Sequence, residues 1–107
     1  MKEQVAIIYS PGFGAGWSTW GCPEMALDQE LAKAIETGGN HEVYRVASEN
    51  WPDGYKGGLL DCVVRWVDKG TLFEIREYDG SESLHILEEH NPYIAATPWV
   101  KQEGETK

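Results

Sequence analysis

The chain has few basic residues and no long apolar run, and both shortages exclude classes of protein. Nine Lys and Arg against 18 Asp and Glu give a formal net charge of −9, which argues against general binding to nucleic-acid backbones or anionic membranes. The apolar stretch near the N-terminus covers only residues 5–9, whereas a membrane span needs about 18 residues and a signal peptide needs a basic segment before its apolar core. We therefore expect a cytosolic protein with neither membrane nor nucleic acid as a partner.

Cysteine and the common catalytic motifs are also scarce. Cys22 and Cys62 lack the spacing of a zinc site, so we expect free, buried thiols rather than a metal site or a disulfide. No G-K-[ST] triplet is present, which excludes a P-loop motif. His41, His85 and His90 are scattered outside any nucleophile or metal-ligand motif. We expect no catalytic residues, no metal and no cofactor, and hence a protein that is not an enzyme.

The length of 107 residues is that of a single domain with a modest core, which homo-oligomerisation would help to stabilise. We predict one α+β domain over residues 1–90. Residues 91–107 form a C-terminal extension, for which two states are open: docked on a neighbouring subunit, or mobile.

The first half of the chain predicts one strand and two helices. The run QVAIIYS at 4–10 is typical of a buried strand. Pro23 suits the first turn of a helix, with apolar residues at helical spacing up to Ile35, and Gly38-Gly39 ends it. Asn40 can cap a second helix that ends at Trp51, although residues 42–47 could alternatively form a strand. We favour the helix.

The second half alternates with a period of two. Residues 59–67 are partly apolar on both faces, as in an inner strand or in a strand covered by a second subunit. Phe73 and Ile75 then face one way, whereas Glu74 and Arg76 face the other. Asp79-Gly80 is a strong hairpin signal before the next apolar run. The segment therefore predicts a three-stranded antiparallel meander.

The most unusual segment is the stretch from Tyr9 to Cys22, which contains no charge but four glycines and two tryptophans. Glycines let the backbone approach a ligand closely, and a tryptophan offers a large amphipathic surface. Loop amides and the Ser18 and Thr19 hydroxyls could bind an anion at the start of the following helix. The alternative, equally open, is that the glycines let the aromatic side chains fold back onto the core.

Three segments, GFGAGWSTWG, PDGYKGG and RWVDKGTLFEIREYDGSES, together resemble a widespread family of small, mostly uncharacterised bacteriophage proteins. Its marks are a GAGWSTW loop and a WVxxGTxFxIxEYDGSE hairpin, and the resemblance covers residues 5–90. It implies a phage gene expressed in the bacterial host cytoplasm. Some very small phage proteins sequester nucleotide-derived immune signals of the host, such as cyclic ADP-ribose variants or cyclic dinucleotides, between subunits of oligomers. Size, origin and pocket chemistry link this chain to that anti-defence class.

The candidate ligand site combines flat aromatic side chains with cations. Aromatic side chains stack on nucleobases, and Arg and Lys bind phosphates. For each cation the alternative is a solvated cross-strand pair. Glu77, Asp79 and Glu82 are explained by turn geometry and solvation. The predicted ligand-binding residues are Phe13, Gly14, Ala15, Gly16, Trp17, Ser18, Thr19, Trp20, Tyr55, Lys56, Arg65, Arg76 and Tyr78.

The predicted function is non-catalytic sequestration of a small nucleotide-like ligand, plausibly a host immune signal. The second hypothesis is a phage inhibitor that binds a host protein through its acidic or aromatic surface. The third is a hydrolase of such a signal.

Overall fold

The computed structural model describes residues 3–12, 16–54, 56–86, 94–95 and 98–99. It confirms the α+β class. Among these residues no helix is both long and apolar enough to cross a membrane. The elements are β1 (Gln4–Tyr9), a 3-10 turn (Pro23–Leu27), α1 (Gln29–Thr37), α2 (Asn40–Asn50), a second 3-10 turn (Leu59–Asp61), β2 (Val63–Asp68), β3 (Leu72–Tyr78), β4 (Ser81–Ile86) and β5 (Ile94–Ala95).

Strands β1 and β2 form an antiparallel pair with core on both faces. Ala6 and Ile8 of β1 belong to a cluster with buried residues of α1 and α2. Val5 and Ile7 belong to a second cluster, which includes Phe73 of β3. Because successive strand residues point to opposite faces, a strand buried on both faces reads as a continuous apolar run. The prediction of a buried first strand is confirmed.

The predicted three-stranded meander is not confirmed, because β2 pairs with β1 and β3 pairs with β4 and β5. Before β2, the alternating pattern is interrupted by the 3-10 turn Leu59–Asp61. After β2, the Lys69 N–H donates to the Glu3 carbonyl at 2.7 Å, which extends the pairing with β1 by one more bond. An alternating pattern reports which faces of a strand are buried, and it does not report which strand lies beside it.

The β3–β4 hairpin is confirmed at its turn. Asp79 and Gly80 have φ values of 53° and 85°, which are the two positive values of the type I′ turn that favours Asp-Gly. The Gly80 N–H also donates to the Glu77 carboxylate at 2.7 Å. The register places Glu77 directly opposite Glu82.

The predicted helix after Pro23 is divided in two at Asp28. Its first part is the 3-10 turn, and α1 begins only after Asp28, whose carboxylate caps the helix by accepting the Glu30 and Leu31 N–H groups. The prediction that α1 ends at Gly38 is confirmed. Residues 40–50 form a helix rather than a strand, as favoured, although Gly39 rather than Asn40 occupies the N-cap.

Candidate functional site

The glycine-rich loop after β1 is organised around a buried carboxylate of the same chain, Glu82. This side chain is 1% exposed. Its Oε1 accepts a bond from the Ser10 N–H at 2.9 Å. Its Oε2 accepts bonds from the Trp17 N–H at 2.6 Å, the Thr19 N–H at 3.0 Å and the Thr19 hydroxyl at 2.5 Å. Four donors of the loop therefore converge on one carboxylate, which we name the Glu82 latch.

The Glu82 latch corrects the interpretation of Glu82 as a solvated hairpin residue. Glu82 pairs across the hairpin with Glu77 and points to the same side of β4 as Leu84. Because Leu84 packs against the second core cluster, Glu82 lies on the face that meets the core. Its own N–H also donates to the Ser10 carbonyl at 2.7 Å. Burial, and then the negative charges of Glu82 and Asp61, raise the pKa of the nearby Cys62 thiol.

The latch also changes the role of the predicted loop residues. Among the described loop donors, those on Trp17 and Thr19 point to Glu82 rather than outward, so the anion that they bind is internal. A Cβ at Gly16 would lie 2.9 Å from the Thr19 hydroxyl oxygen and 3.2 Å from the Glu82 carboxylate. Gly16 therefore permits close packing around the latch, and Ser18 is buried beside it.

Trp17 is a core residue and not a stacking surface. It is 0% exposed and lies in the same cluster as Leu31 and Val46. Its indole N–H donates to the Met25 carbonyl at 3.3 Å, which satisfies the polar atom of a buried tryptophan. Of the two alternatives for the loop, folding back onto the core describes Trp17, whereas Trp20 remains 43% exposed.

The predicted cations are not gathered at the loop. The Lys56 ammonium donates to the carbonyls of Trp51 at 2.8 Å and Gly54 at 3.2 Å, so it holds its own loop together. The Arg76 guanidinium donates to Glu74 at 3.0 Å on the same exposed strand face. Arg76 is thus paired with a glutamate, as the alternative interpretation expected, but with one on its own strand rather than across the hairpin.

The remaining predicted residues fall into two groups. Strand alternation places Arg76 and Tyr78 on the hairpin face opposite Glu82, and Tyr78 is 80% exposed. Arg65 is exposed on β2, opposite Ile7, in the other sheet. Phe13, Gly14, Ala15 and Tyr55 lie outside the described residues.

A cleft of about 650 Å³ opens between the end of the loop and the segment after α2. This volume lies within the range of about 300–1,000 Å³ that is typical of ligand pockets. A second cavity, between the loop and β3, measures about 160 Å³ and lies below that range. The larger cleft is lined by Trp20, Gly21, Cys22, Met25, Asn50, Trp51, Pro52, Asp53 and Gly54.

Trp51 forms a fixed wall of the cleft. Its indole N–H donates to Asp28 Oδ2 at 2.8 Å, and its ring lies 4.5 Å from that of Trp99, centroid to centroid, at an angle of 37°. The Trp99 N–H donates in turn to the Leu27 carbonyl at 3.0 Å. Held on two sides, the indole needs little ordering when a ligand arrives.

Asp28 is the buried group that connects these elements. It is 1% exposed. Its Oδ1 caps α1 at 3.1 Å from the N–H groups of Glu30 and Leu31, while its Oδ2 accepts bonds from Trp51 and, at 2.9 Å, from the Asn50 side-chain amide. One carboxylate thus fixes the start of α1, the end of α2 and the cleft wall.

The sequence interpretation missed most of the cleft. Asn50 and Trp51 of the cleft wall read locally as the end of a helix. The supporting residues Asp28 and Glu82 read as solvated acids, and Trp99 lies in the predicted C-terminal extension. Two signals were available: Glu82 shares its parity with Leu84 in an otherwise apolar strand face, and Asp28 stands one residue before a run with helical spacing. Among the described residues no group of three His, Cys, Asp or Glu could hold a metal ion.

Comparison with protein-family models, with curated proteins and with solved structures returns no match to this chain.

Proposed function

We propose that this chain is a non-catalytic binding protein that sequesters a small nucleotide-derived ligand, with the base of the ligand in the cleft lined by Trp20 and Trp51. The observation that carries this proposal is a cleft of about 650 Å³ with two indoles in its walls, one of them held rigidly by Asp28 and Trp99. Stacking on an aromatic side chain contributes about 1–3 kcal/mol per base. The proposed binding surface is therefore the cleft at the end of the loop, and not the loop glycines that the sequence predicts.

The wider setting of the proposal comes from the resemblance to small phage proteins. In that setting the ligand is a host antiviral immune signal, of the cyclic ADP-ribose or cyclic dinucleotide type, and the protein acts in the bacterial host cytoplasm without a cofactor. Trp20, from the GAGWSTW segment, lines the cleft, which supports a ligand-binding role for this part of the motif.

The test is to mix the purified protein with a panel of such signals and to measure its melting temperature and the mass of any compound released on denaturation. A ligand at a hundred times its Kd adds about 2.7 kcal/mol to stability. Trp20→Ala should abolish the shift, whereas Trp66→Ala should retain it, because Trp66 is similarly exposed, at 46%, but does not line the cleft. Release of the intact signal supports sequestration, and release of cleaved products would support the hydrolase hypothesis instead.

A second candidate function, inhibition of a host protein, is favoured by the surface of β2. Within the described residues this strand pairs only with β1, and Val63 and Trp66 are exposed along it. Unpaired strand edges with apolar side chains bind extended segments of other chains. We also propose that the chain forms a homo-oligomer, and the same edge supports that assembly. Trp66→Glu should weaken either assembly in a size measurement by light scattering, with Tyr78→Glu as the exposed control.

A further inference from the structure

We propose that the group bound in the cleft is an uncharged or positively charged base that carries an amino group, of the aminopurine type, and that its phosphates stay outside. This inference rests on the proposed function and names the chemical class that the same site selects. Its basis is that the polar side chains among the described residues of the cleft wall offer hydrogen-bond acceptors and include no Lys or Arg.

Asn50 supplies the first acceptor. Its side-chain N–H₂ is committed, since it donates to Asp28 at 2.9 Å and to Glu30 at 3.1 Å. Its Oδ1 is buried and has no hydrogen-bond partner within the described part of the chain. A buried carbonyl without a partner costs free energy, and Asn50 lines the cleft. The inference requires the Asn50 amide to turn its Oδ1 toward the cleft, where a ligand N–H would satisfy it.

Asp53 supplies the second acceptor and a negative charge in the cleft. It is exposed and lines the same cleft, where a carboxylate attracts N–H donors and repels phosphate oxygens. None of the described residues that line the cleft is Lys or Arg. The nearby Lys56 ammonium is already bound by the carbonyls of Trp51 and Gly54.

Several backbone donors of the described cleft residues are already used. The Cys22 N–H points to the Met25 sulfur at 3.4 Å, and the N–H groups of Gly21 and Gly54 donate to backbone carbonyls at 3.2 and 2.9 Å. Burial raises the pKa of the Cys22 thiol, which therefore stays uncharged and is only a weak donor. The two indoles favour a flat ring, and their faces attract rather than repel a positively charged one. A base with an amino edge matches all of these features.

The experiment compares three probes by calorimetric titration of the full chain: adenosine, purine riboside and adenosine monophosphate. Purine riboside has the same ring and sugar as adenosine but lacks the amino group. We expect adenosine to bind at least about tenfold more tightly than purine riboside, the factor for one well-placed hydrogen bond. We expect the monophosphate to bind no more tightly than adenosine.

Asp53→Asn should improve monophosphate binding relative to adenosine, whereas the same change at Asp79, in the β3–β4 turn, should not. Equal affinity for adenosine and purine riboside, or tighter binding of the monophosphate to the unmodified chain, would overturn the inference and leave the proposed function standing. If none of the three probes binds, while a signal in the thermal panel does, the inference is also overturned. If nothing in either panel binds, both are wrong.

Discussion

Replacing Glu82 by alanine is the most direct test of how the loop is held. The change removes a carboxylate that is 1% exposed and, with it, the acceptor of the buried Ser10 and Trp17 N–H groups, which donate to it at 2.9 and 2.6 Å. Each buried donor left unsatisfied costs about 1–3 kcal/mol. We count nothing for Thr19, because it is exposed and water can replace the carboxylate there. The expected loss is therefore about 4 kcal/mol.

A loss of that size is a large part of the stability of a small domain, which is typically about 5–15 kcal/mol. The assay is equilibrium urea unfolding followed by tryptophan fluorescence. Glu82→Gln keeps one acceptor oxygen but turns an N–H₂ group toward the loop donors, so we expect about half of the loss. Glu49→Gln is the control, because Glu49 is an exposed partner of Arg45 on α2 and exposed pairs contribute less than about 1 kcal/mol.

Two results would refute the reasoning about the latch. A loss below about 1 kcal/mol for Glu82→Ala would mean that the cost of burying the carboxylate cancels the bonds that it accepts. Failure of acetate to raise the melting temperature of Glu82→Ala selectively would mean that the four converging donors do not form an anion site once the side chain is removed.

Three further predictions concern the core, the cleft wall and the thiol. Trp17→Ala should cost about 3–5 kcal/mol of stability, as for other buried aromatics, whereas Trp20→Ala should cost less than about 1 kcal/mol; similar losses by urea unfolding would contradict the core assignment of Trp17. Asp28→Ala should cost about 2–4 kcal/mol, from the lost N-cap and the unpaired Trp51 indole, and should broaden the Trp51 indole N–H signal in NMR spectra. Burial raises the pKa of the Cys62 thiol above its ordinary value of 9.0, and this thiol therefore contributes its full stabilisation only below that pH. At higher pH the thiol of the unfolded chain ionises, whereas the thiol of the folded chain stays protonated. Stability should then fall by about 1.4 kcal/mol per pH unit, and Cys62→Ala should show a shallower fall between pH 8 and pH 10; an equal fall in both proteins would exclude this thiol as the cause.

Local elements could be predicted from the sequence wherever a local physical rule decides them. The type I′ turn at Asp79-Gly80 and the doubly buried β1 follow from backbone geometry and from apolar periodicity. The helix α1 ends at Gly38 as predicted, although Gly38 is extended, with a φ of −97°, and not in the left-handed conformation of the common glycine cap. Strand partners could not be predicted in this way, because the pairing of β2 with β1 joins residues about sixty positions apart. Glu82 was misread for the same reason, since its donors lie 63–72 positions away in the chain.

The latch and the cleft are connected through the short turn that ends the loop. Glu82 fixes Thr19 through both its N–H and its hydroxyl, and the next residue, Trp20, donates its N–H to the Trp17 carbonyl at 3.3 Å. Trp20 is thus anchored between a core tryptophan and a residue held by a buried carboxylate, although its own ring is exposed. Because the internal carboxylate of Glu82 accepts the Trp17 and Thr19 N–H groups, these amides are not available to an external anion. The proposed ligand therefore has to be recognised by the aromatic faces and acceptors of the cleft.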